Sequence, residues 1–213
     1  MTEADLYILY KGFYMPNLVH SPESLKYYEE FSFRPDDVVI VTYPKSGTTW
    51  MQEIVPLILT GGDPASVETV PNWDRAPWLE QDRARVLNLE ERPSPRILTT
   101  HFRYDMMTPS FLKVKPKNLK DSVTKIGHFL NTFLDSEVVE KIAERCVFKN
   151  MKQNKMSNYS TVPCDIMDQE KSEFLRKGIT GDWKNKLTVA EAETFDAVYN
   201  DKMKNVKFKF VWD

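Results

Sequence analysis

The sequence predicts an α/β fold in which a parallel sheet is flanked by helices. Two stretches carry this prediction. In Val38-Val-Ile-Val-Thr-Tyr-Pro-Lys-Ser-Gly-Thr-Thr-Trp50 a β-branched run meets a Lys-Ser-Gly-Thr-Thr turn and then an apolar helical pattern. The run Val38–Tyr43 is apolar on both faces, as a strand covered by helices in a parallel sheet requires. Pro95-Arg-Ile-Leu-Thr-Thr-His-Phe-Arg103 reads as a second strand, with His101 near its C-terminal end. Ligands in open α/β sheets sit at the carboxyl ends of strands, so His101 and Lys45 are expected at one edge.

The Lys45 turn has the makings of an anion site. Gly47 permits close backbone approach, Thr48 and Thr49 can cap a helix whose first N–H groups lack partners, and Lys45 adds a full charge. The order Lys-Ser-Gly-Thr-Thr differs from the nucleotide-triphosphate motif G-x-x-x-x-G-K-[ST]. By itself it fits a phosphate loop and an ordinary capped αβ turn equally well.

Along the chain, residues 1–20 hold Tyr7, Tyr10, Phe13, Tyr14, Met15 and Pro16, which reads as a strap over the core or, through Phe13 and Tyr14, as a pocket wall. Ser21-Pro22-Glu23 starts a helix ending about Phe31. Trp50, Ile54, Leu57 and Ile58 share a helical face, and Pro56 predicts a kink or early stop at roughly 3 kcal/mol. Val70-Pro-Asn-Trp-Asp-Arg-Ala-Pro-Trp78 reads as a rigid aromatic loop. Val123, Ile126, Leu130, Phe133 and Leu134 make one helical face, and Ser136 caps the next helix. Phe148–Tyr159 looks irregular, and a short helix is expected from near Met167 to Lys177, stopped by Gly178. Arg176, Lys177 and two nearby glycines fit a helix end or a phosphate grip. Thr188 and Glu191 form a capping box for a last helix with Phe195, Val198, Tyr199 and Met203 on its apolar face. Val206–Trp212 alternates like an extended strand.

Composition narrows the function. The 213 residues are 41% hydrophobic and 28% charged with a net charge of −2, which suits a single folded domain and offers no global field for nucleic acid. Cys146 and Cys164 match no zinc or redox spacing, so reduced thiols and no metal are expected. The acidic N-terminus and the lack of a long apolar run predict a cytoplasmic chain with no membrane segment. A nucleotide-triphosphate enzyme is disfavoured, because the loop order differs and no acidic Mg²⁺ ligand stands at a strand end.

Together, Tyr43-Pro-Lys-Ser-Gly-Thr-Thr-Trp50, His101 after a strand, Arg176-Lys-Gly-x-x-Gly-Asp-Trp183 and the closing Val-Trp-Asp resemble the cytosolic sulfotransferases. The Val70–Trp78 loop is most similar to the branch that accepts steroids and alcohols. The resemblance spans roughly residues 8–117 and 119–213. It implies a P-loop-like sulfotransferase fold and transfer of a sulfuryl group from 3′-phosphoadenosine 5′-phosphosulfate to a hydroxyl or amine of a small hydrophobic acceptor. By the same resemblance Lys45 holds the phosphosulfate with Ser46, Gly47, Thr48 and Thr49, Trp50 and Phe148 sandwich the adenine, and Arg176, Lys177 and Gly178 bind the 3′-phosphate. His101 is the general base, and Phe13, Tyr14, Trp73, Trp78 and Phe102 line the acceptor pocket. Lys184, Thr188, Val189 and Glu193 match the family's dimerisation motif and imply a homodimer.

The chain departs from this pattern at one place. The family continues past Lys117 into a buried strand, an Arg-Asn-Pro-x-Asp segment and further helices and strands, whereas here Lys117 and Asn118 lead directly to Leu119-Lys-Asp-Ser-Val. One domain over residues 1–213 with an internal deletion near 117–119 is expected, with central strands absent and half of the nucleotide site lost. The alternative expectation is a shortened, catalytically inactive relative acting only as a dimer partner, or a non-functional splice product.

Overall fold

A computed structural model describes residues 6–103, 106–108, 123–179 and 181–205. Residues 1–174 group as one unit and 175–213 as a second. The first begins with a hairpin, β1 (Tyr7–Tyr10) antiparallel to β2 (Phe13–Pro16). Lys11 and Gly12 between them both have positive φ (47° and 84°), the backbone of a tight two-residue hairpin turn. The aromatic N-terminus is therefore a hairpin and not a plain strap. Helix α1 (Pro22–Glu30) follows with Ser21 as its cap, Ser24 completing the capping box.

Strand β3 (Val38–Val41) lies parallel to β4 (Ile97–Thr100), with Val39 opposite Leu98 and Val41 opposite Thr100. Alternation along the strands sends side chains to two cores. Val39 and Leu98 join Leu25, Tyr28, Phe31, Leu79 and Phe102, under Ile8, Tyr10, Phe13 and Met15 of the hairpin. Ile40 joins Ile54, Val55, Leu57, Ile58, Ile126 and Ile142 on the other face. The parallel α/β core predicted from the sequence is thus present in reduced form: among the described residues β3 has β4 on one edge and no strand on the other.

A buried ion pair locks the start of both strands. Arg96 donates from Nε to Asp37 Oδ1 at 2.8 Å and from Nη2 to Oδ2 at 2.6 Å, and stacks on Phe31 at 4.7 Å. Both side chains are at most 1% exposed.

Helix α2 (Thr48–Leu59) crosses behind the sheet. Its cap is Gly47 and not a threonine, because Gly47 takes the left-handed conformation (φ 101°, ψ 17°) and places Thr48 and Thr49 inside the first turn. Pro56 does not end the helix, which reaches Leu59: the Thr60 N–H and Oγ1 both donate to Pro56 O at 3.0 Å, closing the last turn around it. The aromatic loop contains one turn of helix, α4 (Asn72–Arg75), between α3 (Ala65–Thr69) and α5 (Asp82–Arg85).

Helices α6 (Val123–Phe129), α7 (Ser136–Arg145) and α8 (Phe148–Gln153) complete the first unit. Asp135, rather than Ser136, caps α7 by accepting from Val138 N at 2.8 Å. Helix α8 replaces the irregular segment expected there: Met151 is buried, and the Ser157 Oγ and Asn158 Nδ2 donors take the carbonyls of Met151 and Lys152 at its end. Conversely, the helix expected at 167–177 is a series of turns. Asp168 Oδ1 accepts from the backbone of Glu170 and Lys171, and Gln169 Oε1 from Phe174, so side chains take the N–H groups that a helix would use.

The second unit holds a 3₁₀ turn (Asp182–Asn185) and helix α9 (Val189–Met203). The Thr188–Glu191 capping box is formed. The apolar face expected of α9 is solvent-exposed at Phe195 and Val198, and none of the helix's residues is buried. The junction at 117–119 and the closing 206–213 stretch lie outside the described residues.

Candidate active site

Parallel pairing brings the loops after β3 and β4 side by side. Thr42 N donates to Thr100 O at 3.3 Å, extending the ladder by one residue, and places Thr42 next to His101. His101 Nδ1 lies 2.9 Å from Thr42 O, and Thr42 Oγ1 bonds Thr48 Oγ1 at 2.6 Å. Through Thr42 the histidine is therefore tied to the first turn of α2. Lys45, with φ 65°, stands at the loop mouth, its Nζ 3.1 Å from Phe174 O and 3.9 Å from the centre of that ring. Among the described residues no side chain caps the N-terminus of α2, which leaves its first N–H groups facing the loop that carries Lys45, while the Ser46 hydroxyl donates to Tyr43 O at 2.5 Å.

The segment Pro77–Glu80 runs along the outer edge of β4: Thr99 N donates to Pro77 O at 2.8 Å and Leu79 N to Thr99 O at 2.9 Å. It reaches His101 twice. Trp78 Nε1–H donates to His101 Nε2 at 3.0 Å, and Glu80 Oε1 accepts from the His101 backbone N–H at 3.0 Å. Glu80 is 1% exposed, its Oε2 has no hydrogen-bond partner among the described residues, and burial pushes its carboxyl above the ordinary range. Tyr159 sits between Trp73 (4.9 Å), Trp78 (6.5 Å) and Phe174 (4.0 Å), and burial likewise raises its hydroxyl.

The structure thus brings together Lys45, Ser46, Gly47, Thr48, Thr49, His101 and Trp78 at the ends of two adjacent strands, with Trp73 joined to them through Tyr159. Phe102 points the other way, buried between Tyr10 (5.6 Å) and Tyr28 (4.9 Å). Phe13 packs toward the same core beneath Arg103, whereas Tyr14, on the opposite face of β2, is 74% exposed. Trp50 is 54% exposed, and Phe148 is half-buried at the start of α8. Arg176, Lys177 and Gly178 belong to the second unit. There both cations bind Asp182, Lys177 Nζ at 2.6 Å, and they hold its carboxyl far below the usual carboxylate range. No group of three or more His, Cys, Asp or Glu side chains that could hold a metal occurs among the described residues.

Sequence reasoning missed Glu80, Thr42 and Tyr159. Thr42 had a signal, as the polar residue ending an apolar strand run. Glu80 and Tyr159 had none, since only the pairing of 77–80 with β4 and the folding of 154–174 bring them to the site.

The Sulfotransferase domain model matches this chain over residues 35–119 and 116–207. The chain belongs to the sulfotransferase family. Among relatives, the sulfotransferase is 35% identical to Sulfotransferase 2B1 of Mus musculus over 282 residues, covering 97% of this chain and 83% of the relative. It is 32% identical to the 3-beta-hydroxysteroid sulfotransferase of Cavia porcellus, covering 99% of each chain. An alignment of 282 positions against a chain of 213 residues leaves at least 69 positions of the mouse relative facing no residue here.

Two solved structures show the same fold. A mouse sulfotransferase complexed with PAP superposes with a TM-score of 0.71 at 21% identity, over 95% of this chain and 96% of that one. A retinol dehydratase in complex with androsterone and the inactive cofactor PAP gives 0.73 at 17%, over 96% and 89%. Among the described residues of the sulfotransferase no helix is long and apolar enough to cross a membrane.

Proposed function

We propose that this sulfotransferase moves the sulfuryl group of 3′-phosphoadenosine 5′-phosphosulfate onto a hydroxyl or amine of a small hydrophobic acceptor, a steroid, alcohol or phenol. The observation that supports the reading is the 2.9 Å contact of His101 Nδ1 with Thr42 O, which brings the imidazole beside the residue that leads into the Lys45 loop. The chemistry is supported by one relative that is a 3-beta-hydroxysteroid sulfotransferase and by two solved neighbours that hold PAP.

In this reading Lys45, Ser46, Gly47, Thr48 and Thr49 hold the 5′ phosphosulfate, and Trp50 and Phe148 hold the adenine. Arg176, Lys177 and Gly178 take the 3′-phosphate, exchanging part of their hold on Asp182 for it. His101 accepts the proton of the acceptor oxygen as that oxygen bonds to sulfur. The bond from sulfur to the bridging phosphate oxygen breaks, and Lys45 neutralises the charge that develops there. Positioning and fixed positive charge supply most of the rate in such transfers, with a base adding about 10²- to 10⁴-fold. No metal is required. Trp73 and Trp78 wall the acceptor, whereas Phe13 and Phe102, which family resemblance also assigns to the pocket, pack into the core around Tyr28, and Tyr14 is exposed on the opposite face of β2. Lys184, Thr188, Val189 and Glu193, all exposed, carry a homodimer contact in a cytoplasmic enzyme.

A second reading keeps the fold and removes the activity: a one-domain chain shortened near 117–119 that binds cofactor weakly and acts by pairing with a full-length subunit. The break of the family match at 116–119 and the edge of β3 that has no strand beside it among the described residues favour it. Calorimetry of the 213-residue protein with 3′-phosphoadenosine 5′-phosphate, followed by turnover of a phenol and a steroid, separates the two. Micromolar binding with turnover selects the enzyme. Absence of both, with co-purification of a full-length sulfotransferase, selects the partner.

A further inference from the structure

The hydrogen bonds around His101 specify its tautomer. Thr42 O can only accept, so Nδ1 carries the proton and donates to it across 2.9 Å. An indole N–H can only donate, so Nε2 presents its lone pair to Trp78 Nε1–H at 3.0 Å. The two bonds agree, and together they occupy both ring nitrogens. Nε2 is the nitrogen that must accept a proton if His101 is the base, and in this structure that lone pair is filled by Trp78.

We infer that Trp78 is a positioning and specificity residue that caps the base until an acceptor hydroxyl takes its place; the inference deepens the proposed role of His101 and rests on it. The backbone around Trp78 is held to β4 by Leu79 N→Thr99 O and Thr99 N→Pro77 O, and His101 is held by Thr42, so the exchange falls to rotation of the indole. A hydroxyl suits the exchange: its O–H donates to Nε2 while its oxygen accepts from the freed indole N–H. An acceptor without such a group leaves the indole donor and the imidazole acceptor unpaired in a partly buried site, which is how a hydrogen-bonding pocket rejects apolar analogues. Trp78, 8% exposed and 6.5 Å from Tyr159, is thereby more than an apolar wall.

The test uses the whole chain and does not depend on turnover. In ¹⁵N-labelled protein the Trp78 indole N–H should exchange roughly tenfold faster in His101→Ala than in wild type and move upfield, as loss of one buried hydrogen bond requires. An unchanged indole signal in a folded His101→Ala protein overturns the inference. In parallel, diethyl pyrocarbonate, which needs a free imidazole lone pair, should modify His101 about three- to tenfold faster in Trp78→Phe, with the exposed His128 as the internal standard. Equal rates overturn it, and this arm decides if His101→Ala does not fold. Turnover that survives His101→Ala removes the base role, while the indole signal still decides whether Trp78 caps the ring.

Discussion

Removing Asp37 should be among the most damaging single changes in the first unit, and more damaging than removing its partner. Asp37 and Arg96 are at most 1% exposed, and Arg96 also donates from Nη2 to Ser32 O at 2.9 Å and from Nη1 to Leu89 O at 3.3 Å. Asp37→Ala leaves a guanidinium that cannot shed its proton with only two carbonyls for company, a buried uncompensated charge costing about 3–5 kcal/mol. Arg96→Met leaves a carboxyl that can take up a proton and still accepts from Arg34 N at 2.8 Å, so its cost should fall nearer 2–3 kcal/mol, on the order of one unsatisfied polar group. Against a total of about 5–15 kcal/mol the first loss removes roughly a fifth at the least and nearly all of it at the most. Urea denaturation followed by tryptophan fluorescence reads this directly: with an m-value of about 2 kcal/mol/M, Asp37→Ala should lower the midpoint by roughly 2 M. A shift under about 0.5 M, or a larger shift in Arg96→Met than in Asp37→Ala, would refute the reasoning.

Other outcomes follow from the site. Gly47→Ala meets no atom within 4 Å, so its cost is backbone strain at φ 101°, roughly 1–2 kcal/mol; a midpoint equal to wild type would show that the loop relaxes freely. Glu80→Gln should flatten the fall of stability with pH. The buried carboxyl keeps its proton where the unfolded chain, with a value of about 4.3, releases it, so the stability of the neutral form is complete below that point and declines as pH rises through the raised folded value. Urea midpoints of variant and wild type at pH 5 and pH 8 check this, and identical slopes would contradict it. His101→Ala should abolish turnover and leave 3′-phosphoadenosine 5′-phosphate affinity nearly intact, whereas Lys45→Ala should weaken both, as paired calorimetry and activity measurements would show.

Local pattern carried much of the architecture. The β3 run, the Ser21 cap, the strand just before His101 and the Thr188–Glu191 box are all set by short-range chemistry; both caps form where the sequence places them, and the two strands form within the predicted stretches but shorter, as Val38–Val41 and Ile97–Thr100. Errors arose where side chains compete for the backbone: Asp168 and Gln169 unmake a helix, while Ser157 and Asn158 finish one that composition disguises. In the motif Lys45-Ser-Gly-Thr-Thr, legible as a capped turn or an anion site, the structure shows that the cap is the left-handed Gly47 and not a threonine side chain.

By itself the sequence determined the family, the strand–loop–helix unit and the residue types able to hold an anion and move a proton. It did so because strand period, capping and loop chemistry are written in neighbouring residues. Only the tertiary structure decided that Thr42, Trp78 and Glu80 close on His101, since hydrogen bonds between residues 21 and 59 positions apart exist only once β3, β4 and the 77–80 segment lie side by side.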